Sequence, residues 1–199
     1  MSQKAKLPKL AIGLLHYPMK DRRGNVVATN ITNFDIHDIA RVARCYGVPR
    51  YYLIHPVPEQ LMFVERVLDH WRVGEGARYN ETRRVSLEPV RTAASLEQAL
   101  KDWRQFLGSG DARILKIVTH ARTVPQMPIY LIKELREMLW EDHCSVFLIF
   151  GTGYGMTDDF MRKQDGLLES LKGAPPDDFR HLSVRSAVSI YLDRLLGPW

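Results

Sequence analysis

The sequence predicts an α/β domain in which a mostly parallel, six-stranded sheet carries helices on both faces. Continuous apolar segments of strand length recur along the chain, as is typical of strands buried on both faces of a parallel sheet. Amphipathic segments of helix length separate them, as crossover connections require. The 199 residues suffice for a sizeable core, so we expect a single domain over residues 1–199.

Six segments are predicted to be strands because they are apolar or rich in β-branched residues. Residues 1–6, which precede the first of them, are predicted to form a disordered tail. Pro18 and the turn at residues 21–24 end the first strand, and residues 26–32 are polar but favour β structure. The predicted strands are Lys9–His16, Arg50–His55, Val85–Val90, Arg113–Thr119, Ser145–Phe150 and Gly166–Leu171.

Five longer segments place apolar residues at the helical period, and a sixth, short helix is expected after Thr157. Asn33 or Asp35 can cap the first helix, which runs to Cys45 and is ended by Gly47. Ser183 is the predicted N-cap of the last helix. The apolar faces are Ile36, Ile39, Ala40 and Ala43; Leu61, Val64, Leu68 and Trp71; Leu96, Ala99, Leu100, Trp103 and Leu107; Ile132, Leu135 and Leu139; and Val184, Val188, Tyr191, Leu192 and Leu195.

The strand that ends at Phe150 is followed by glycines at alternate positions, Gly151, Gly153 and Gly155. Glycine costs backbone entropy, so this pattern indicates that the main chain bends sharply there or closely approaches a ligand. An ordinary strand-to-helix turn is the alternative interpretation. The dinucleotide fingerprint is excluded, because the place of its third glycine is taken by Met156.

Composition indicates an ordinary globular protein with a basic surface. The net charge is +5, and pairs of arginines and lysines cluster along the chain, which favours a nucleic-acid partner through phosphate neutralisation. No segment has the length of a membrane span and no signal peptide is predicted, so we expect a cytoplasmic protein with no membrane partner. Cys45 and Cys144 do not fit a metal-binding spacing, so no metal site is predicted.

Three segments that follow predicted strands carry unusual residues: Thr119–Arg122, the glycine turn after Phe150, and His181–Val184. In parallel sheets, ligands bind beyond the carboxyl ends of strands. We therefore expect these three segments to meet around a binding site.

These segments also carry a resemblance to a known family. Gly151-Thr-Gly-Tyr-Gly-Met156, with His181-Leu-Ser-Val184 and the helix that follows, resembles the carboxyl-terminal signature of SPOUT RNA methyltransferases. More narrowly, the chain is similar to a stand-alone family related to the knot domain of tRNA guanine-N1 methyltransferases. The amino-terminal residues that match this family are Asn33-Phe-Asp-Ile-His-Asp-Ile-Ala-Arg41, His70-Trp71, Gly74, Gly76 and Tyr79-Asn80.

The resemblance implies an α/β knot, with a carboxyl-terminal trefoil knot, and a homodimer. It also implies S-adenosylmethionine as cofactor and RNA, either tRNA or rRNA, as partner. Ser183 has a rival role as a helix cap, and Tyr154 is expected to cover the turn. The implied cofactor-binding residues are Thr119, His120, Ala121, Phe150, Gly151, Thr152, Gly153, Gly155, Leu171, Leu182, Ser183, Val184 and Ala187.

Candidate catalytic residues cluster near the start of the first helix: Arg41, His37 and Asn33, with Asp35 and Asp38 beside them. His37 and Arg41 are one turn apart and share a helix face. Arg41 resembles the arginine of ribose-directed SPOUT enzymes, but those enzymes have an asparagine where this chain has Asp35. Since a guanidinium stays protonated, Arg41 is expected to hold a phosphate or a developing negative oxygen rather than act as a base. Helix capping by the aspartates and a surface ion pair of Arg41 are the alternatives.

The sequence therefore predicts an S-adenosylmethionine-dependent methyltransferase that acts on tRNA or another structured RNA. The alternative is a catalytically inactive RNA-binding or assembly protein that retains the knot fold. Loss of function on replacement of Arg41 and His37 would favour the enzyme.

Overall fold

The computed structural model describes residues 8–108 and 113–198, so the predicted tail at residues 1–6 lies outside the described residues. The chain alternates strands and helices, as expected. The strands are β1 (Leu10–Leu15), β2 (Met19–Lys20), β3 (Val26–Val27), β4 (Arg50–Ile54), β5 (Val90–Ala93), β6 (Ile114–Val118), β7 (Ile129–Tyr130), β8 (Ser145–Gly151) and β9 (Gly166–Leu168). The helices are α1 (Asn33–Cys45), α2 (Pro58–Arg72), α3 (Glu75–Tyr79), α4 (Glu81–Ser86), α5 (Leu96–Leu107), α6 (Ile132–Trp140), α7 (Asp158–Arg162) and α8 (Val184–Leu196).

The main sheet has seven strands within the described residues, in the order β5-β4-β1-β8-β6-β9-β7, and every neighbouring pair is parallel. The predicted count of six misses the two-residue strand β7, which pairs with β9 at Ile129 and Leu167. A strand this short shows no recognisable periodicity in the sequence. Strands β2 and β3 form a separate antiparallel hairpin.

Two other local predictions differ from the structure. The segment predicted as a strand at Val85–Val90 holds the last two residues of helix α4 and then a turn, and the strand begins only at Val90. The N-cap of α1 is Thr32, whose hydroxyl accepts a hydrogen bond from the backbone of Asp35. By contrast, Ser183 caps α8 and Thr157 caps α7, as predicted.

Side chains that alternate along the central strands pack into two separate cores, one on each face of the sheet. On β1, Leu10, Ile12 and Leu14 belong to the core beneath α1, α2, α6 and α8. Ala11 and Leu15 belong to the opposite core, which includes Trp103 of α5. Both faces are thus buried, which explains why the strand sequences are continuously apolar. None of the helices in the described residues is long and apolar enough to cross a membrane.

Candidate functional site

A cavity of about 620 Å³ lies at the carboxyl edge of the sheet, where β6, β8 and the segment before α8 end. Because β6 and β8 are parallel neighbours, the residues that follow them emerge side by side. The three segments singled out in the sequence meet here. Every predicted cofactor-binding residue lines the cavity: Thr119, His120, Ala121, Phe150, Gly151, Thr152, Gly153, Gly155, Leu171, Leu182, Ser183, Val184 and Ala187.

The glycine turn owes its shape to left-handed backbone at Gly153 (φ 57°) and Gly155 (φ 94°). A Cβ on Gly155 would lie 2.7 Å from Nε2 of His120, closer than real Cβ contacts allow. The predicted sharp bend is therefore present, and the close approach of His120 is a further reason for glycine at position 155.

The β2–β3 hairpin holds the outer side of this turn. The backbone N–H of Lys20 donates to the carbonyl of Gly155 over 2.8 Å, and the N–H of Tyr154 donates to the carbonyl of Lys20. The side chain of Lys20 also pairs with Asp158 over 2.9 Å. Much of the hydrogen-bonding capacity of the turn thus stabilises the protein itself. Tyr154 is 61% exposed and is one of the residues that line the cavity.

The segment after β6 is fixed by hydrogen bonds to strand β8 and to the segment that follows β9. The hydroxyl of Thr119 donates to the carbonyl of Ile149 in β8 over 3.1 Å, and the hydroxyl of Ser170 donates to the carbonyl of His120 over 2.9 Å. His120 is half-buried, and this burial lowers the pKa of its imidazole. We therefore expect neutral His120 at neutral pH.

The amino-terminal end of α8 forms the opposite wall of the cavity. The hydroxyl of Ser183 accepts from the N–H of Ser186 over 3.2 Å, so its capping role is present. Leu182 is 45% exposed and, with Val184 and Phe150, gives the cavity an apolar side. An apolar wall beside free helix N–H groups suits a ligand with both apolar and polar parts.

The sequence places Asp35 among the candidate residues of the first helix, but it does not predict that the carboxylate lies in the cavity wall and pairs with Arg185 of α8. Its Oδ1 accepts from the guanidinium over 2.9 Å, and its Oδ2 accepts from the hydroxyl of Thr32 over 2.6 Å. Arg185 also lies 3.5 Å from Asp38, which is half exposed. The sequence could not show this arrangement, because an aspartate in the first turn of a helix has the same local pattern whether or not it faces a cavity. Its partner, Arg185, is also 150 residues away in the chain.

The predicted catalytic residues Asn33, His37 and Arg41 are not part of the cavity wall that the described residues form. Asn33 and Arg41 are exposed, whereas His37 is half-buried with its ring edge-on to Trp71 at 5.8 Å. Burial, followed by the positive charge of Arg83, lowers the pKa of His37. Within the part of the chain that the structure describes, these three side chains stay outside the cavity wall, so their catalytic roles remain predictions.

The described residues contain no group of three or more His, Cys, Asp or Glu side chains that could hold a metal ion. Among the described residues, the cavity lining instead contains one carboxylate, that of Asp35, and several basic side chains. These basic side chains are His120, Arg122, Arg180, His181 and Arg185.

Comparison with known proteins relates the chain to enzymes. An uncharacterised protein of Aquifex aeolicus strain VF5 is 39% identical over 186 residues, covering 94% of this chain and 87% of the relative. A tRNA (guanine-N(1)-)-methyltransferase of Oleidesulfovibrio alaskensis is 35% identical over 188 residues. That match covers 94% of this chain but 42% of the relative, so the chain spans less than half of the longer protein.

Solved structures agree on the fold. The SpoU methyltransferase AviRb of Streptomyces viridochromogenes, crystallised in complex with the cofactor AdoMet, superposes with a TM-score of 0.54. The match covers 95% of this chain and 57% of that protein at 10% identity, which supports the fold alone. Residues 9–197 match a family described as SAM-dependent RNA methyltransferase. The chain therefore belongs to this family of S-adenosylmethionine-dependent RNA methyltransferases.

Proposed function

We propose that the cavity is the S-adenosylmethionine site and that the chain, as a single domain over residues 1–199, methylates tRNA. The convergence of three segments on one cavity at the carboxyl edge of the parallel sheet carries this proposal. Its volume of about 620 Å³ is within the range of small-molecule sites. The cofactor supplies an electrophilic methyl group on a sulfonium.

The residues present fit a flat, partly apolar ligand. Leu182, Val184 and Phe150 would contact its apolar parts, and the absence of a side chain at Gly153 leaves backbone accessible at the exposed rim. Backbone groups of the glycine turn and of the start of α8 would supply hydrogen bonds. The proposed contact set is the one predicted from the sequence: Thr119, His120, Ala121, Phe150, Gly151, Thr152, Gly153, Gly155, Leu171, Leu182, Ser183, Val184 and Ala187.

The proposal also includes a trefoil knot formed by the segment between β9 and α8, and a homodimer. Exposed apolar side chains near the cavity support a partner surface: Phe34 is 70% exposed, and Phe179 is 64% exposed. Analytical ultracentrifugation tests the dimer directly, and a monomer at micromolar concentration would contradict it.

A tRNA substrate is supported by the relative named for tRNA methylation and by the basic rim of the cavity. It would place the reaction in the cytoplasm. Arg41 would bind a phosphate, since its charge is permanent and its position on α1 is exposed. His37 and Asn33, on the same helix, would contact the RNA by hydrogen bonds, because the lowered pKa of His37 keeps its ring neutral.

The test combines cofactor binding with methyl transfer. Calorimetry with S-adenosylmethionine compares the native chain with Leu182→Arg, and labelled methyl groups are followed into a pool of transcribed, unmodified tRNAs. Leu182→Arg should weaken binding by about tenfold or more, because it removes apolar contact and adds a charge near a cationic ligand. Leu131→Arg is the matched control, since Leu131 is 46% exposed and lies outside the cavity lining.

Tight binding that is lost in Leu182→Arg but kept in Leu131→Arg would support the assignment of the cavity. Equal binding by both variants would refute that assignment. Absence of methyl transfer to any tRNA by the native dimer would refute the proposed substrate.

A further inference from the structure

The single carboxylate of the cavity wall, Asp35, occupies an unusual environment. Among the described residues that line the cavity, no other aspartate or glutamate is present. Only 4% of Asp35 is exposed, and a buried carboxylate is costly unless it is paired and hydrogen-bonded. Helix capping at the protein surface therefore does not explain why this carboxylate is buried beside a ligand cavity.

Three contacts fix the position of Asp35. The carboxylate accepts from Arg185 at 2.9 Å and from the hydroxyl of Thr32 at 2.6 Å. The hydroxyl of Tyr51, which is fully buried, donates to the main-chain carbonyl of Asp35 over 3.2 Å. An ionised carboxylate offers about four lone-pair sites, so these contacts leave capacity for a proton. A group held in this way needs little rearrangement before reaction.

We infer that Asp35 accepts the proton released by the RNA atom that is methylated, an inference that rests on the proposed function. The RNA atom forms a bond to the methyl carbon while the bond from that carbon to the sulfonium sulfur breaks, leaving its electron pair on sulfur. The hydrogen on the RNA atom passes as a proton to an oxygen of Asp35. The electron pair of the bond that held this hydrogen stays on the RNA atom.

This role also narrows the substrate class. A carboxylate is a weak base, so it matches an acidic ring N–H of a nucleobase better than a ribose hydroxyl. The acceptor is accordingly a ring nitrogen that carries a hydrogen. Arg185, which pairs with Asp35, acts as a positioning residue for the carboxylate.

A purely structural ion pair between α1 and α8 is the rival explanation, and Asp35→Asn separates the two. Asparagine keeps the shape and an oxygen acceptor for Arg185, but it is not a base. Asp193→Asn is the matched control, because Asp193 also links α8 to the end of α1, by accepting from the hydroxyl of Tyr46 at 2.6 Å, but lies outside the cavity lining.

The experiment measures single-turnover methyl transfer to the pool of transcribed tRNAs at saturating S-adenosylmethionine. Asp35→Asn should slow transfer by about 100-fold or more, the usual contribution of a proton acceptor. Asp193→Asn should react at the native rate. Affinities for S-adenosylmethionine and S-adenosylhomocysteine should be unchanged in Asp35→Asn, and nucleoside analysis should find the methyl group on a base.

Chemical rescue provides a second readout, which also covers the case of an unstable asparagine variant. Formate is a small carboxylate that can enter the space left in Asp35→Ala. It should accelerate methyl transfer by Asp35→Ala while leaving the native protein unaffected.

Three outcomes would overturn the inference while leaving the proposed function intact: a native rate in Asp35→Asn, methylation of a ribose hydroxyl, or a selective loss of affinity for S-adenosylmethionine over S-adenosylhomocysteine. The last would show that Asp35 binds the sulfonium charge. Failure of the native chain itself to methylate tRNA would refute the proposed function and the inference together.

Discussion

Gly155 is the position in the cavity where backbone conformation and close packing both require glycine. We expect Gly155→Ala to reduce the free energy of unfolding and to weaken binding of S-adenosylmethionine. Its φ of 94° is unfavourable for any side chain, and the new Cβ would lie 2.7 Å from Nε2 of His120. His120 cannot move freely, because its Nδ1 is within hydrogen-bonding distance of the backbone of Arg122 at 3.1 Å.

The two effects can be estimated separately. A side chain in left-handed backbone costs about 1–2 kcal/mol. Overpacking against the imidazole costs about a further 1–3 kcal/mol, so the free energy of unfolding should fall by about 2–5 kcal/mol in total. Gly108→Ala isolates the first effect: Gly108 has φ 68°, and the described part of the chain places no atom within 4 Å of the added Cβ. This control should lose about 1–2 kcal/mol.

Urea unfolding followed by tryptophan fluorescence measures both variants, and calorimetry measures their affinity for S-adenosylmethionine. The double variant His120→Ala/Gly155→Ala tests the cause, since removal of the imidazole removes the collision. The free energy of unfolding that the double variant loses should be smaller, by about 1–3 kcal/mol, than the sum of the losses in the two single variants. The reasoning is refuted if Gly155→Ala and Gly108→Ala lose equal free energy of unfolding and retain equal affinity for S-adenosylmethionine. It is also refuted if the loss in the double variant equals the sum of the losses in the two single variants.

Three further changes have defined outcomes. Burial lowers the pKa of His16 from 6.5 to about 4, so the unfolded chain binds a proton in this window that the folded chain does not. The free energy of unfolding should thus decrease as the pH falls from about 6.5 to 4, and less steeply in His16→Asn, as urea titrations at several pH values would show. Arg122→Gln should reduce the salt dependence of tRNA binding, measured by fluorescence anisotropy, by about one unit of log–log slope, whereas Arg104→Gln, outside the cavity, should not. Tyr46→Phe removes a 2.6 Å hydrogen bond to Asp193 between α1 and α8 and should cost about 1 kcal/mol in urea unfolding, with an unchanged value counting against a stabilising role.

The larger part of the fold was predictable because it depends on local patterns. The apolar runs of β1, β4, β6 and β8 and the periodicity of the long helices follow from burial of strands on both faces. Short elements were not predictable. Strand β7 has two residues, and the segment predicted as a strand at Val85–Val90 instead contains the end of the short helix α4 and a turn. In both, tertiary contacts decide the conformation.

The candidate site was predictable to a similar degree and for a related reason. Strand ends followed by glycine, histidine or a capping serine are visible in the sequence, and the parallel sheet brings the ends of β6 and β8 to one edge. The predicted catalytic residues at 33, 37 and 41 follow only from a helix motif. That motif does not specify which side of α1 faces the cavity, and of the candidates on this helix the structure places Asp35 in the cavity wall.

The sequence by itself determined which segments are buried strands, where the chain must turn at Gly153 and Gly155, and which serine caps α8. These features depend on side-chain periodicity and backbone conformation, which act between near neighbours. Only the tertiary structure decided the order of the strands, the approach of His120 to Gly155, and the pairing of Asp35 with Arg185 across 150 residues. Contacts between distant polar groups depend on how the chain is threaded through the sheet, and no local pattern carries that information.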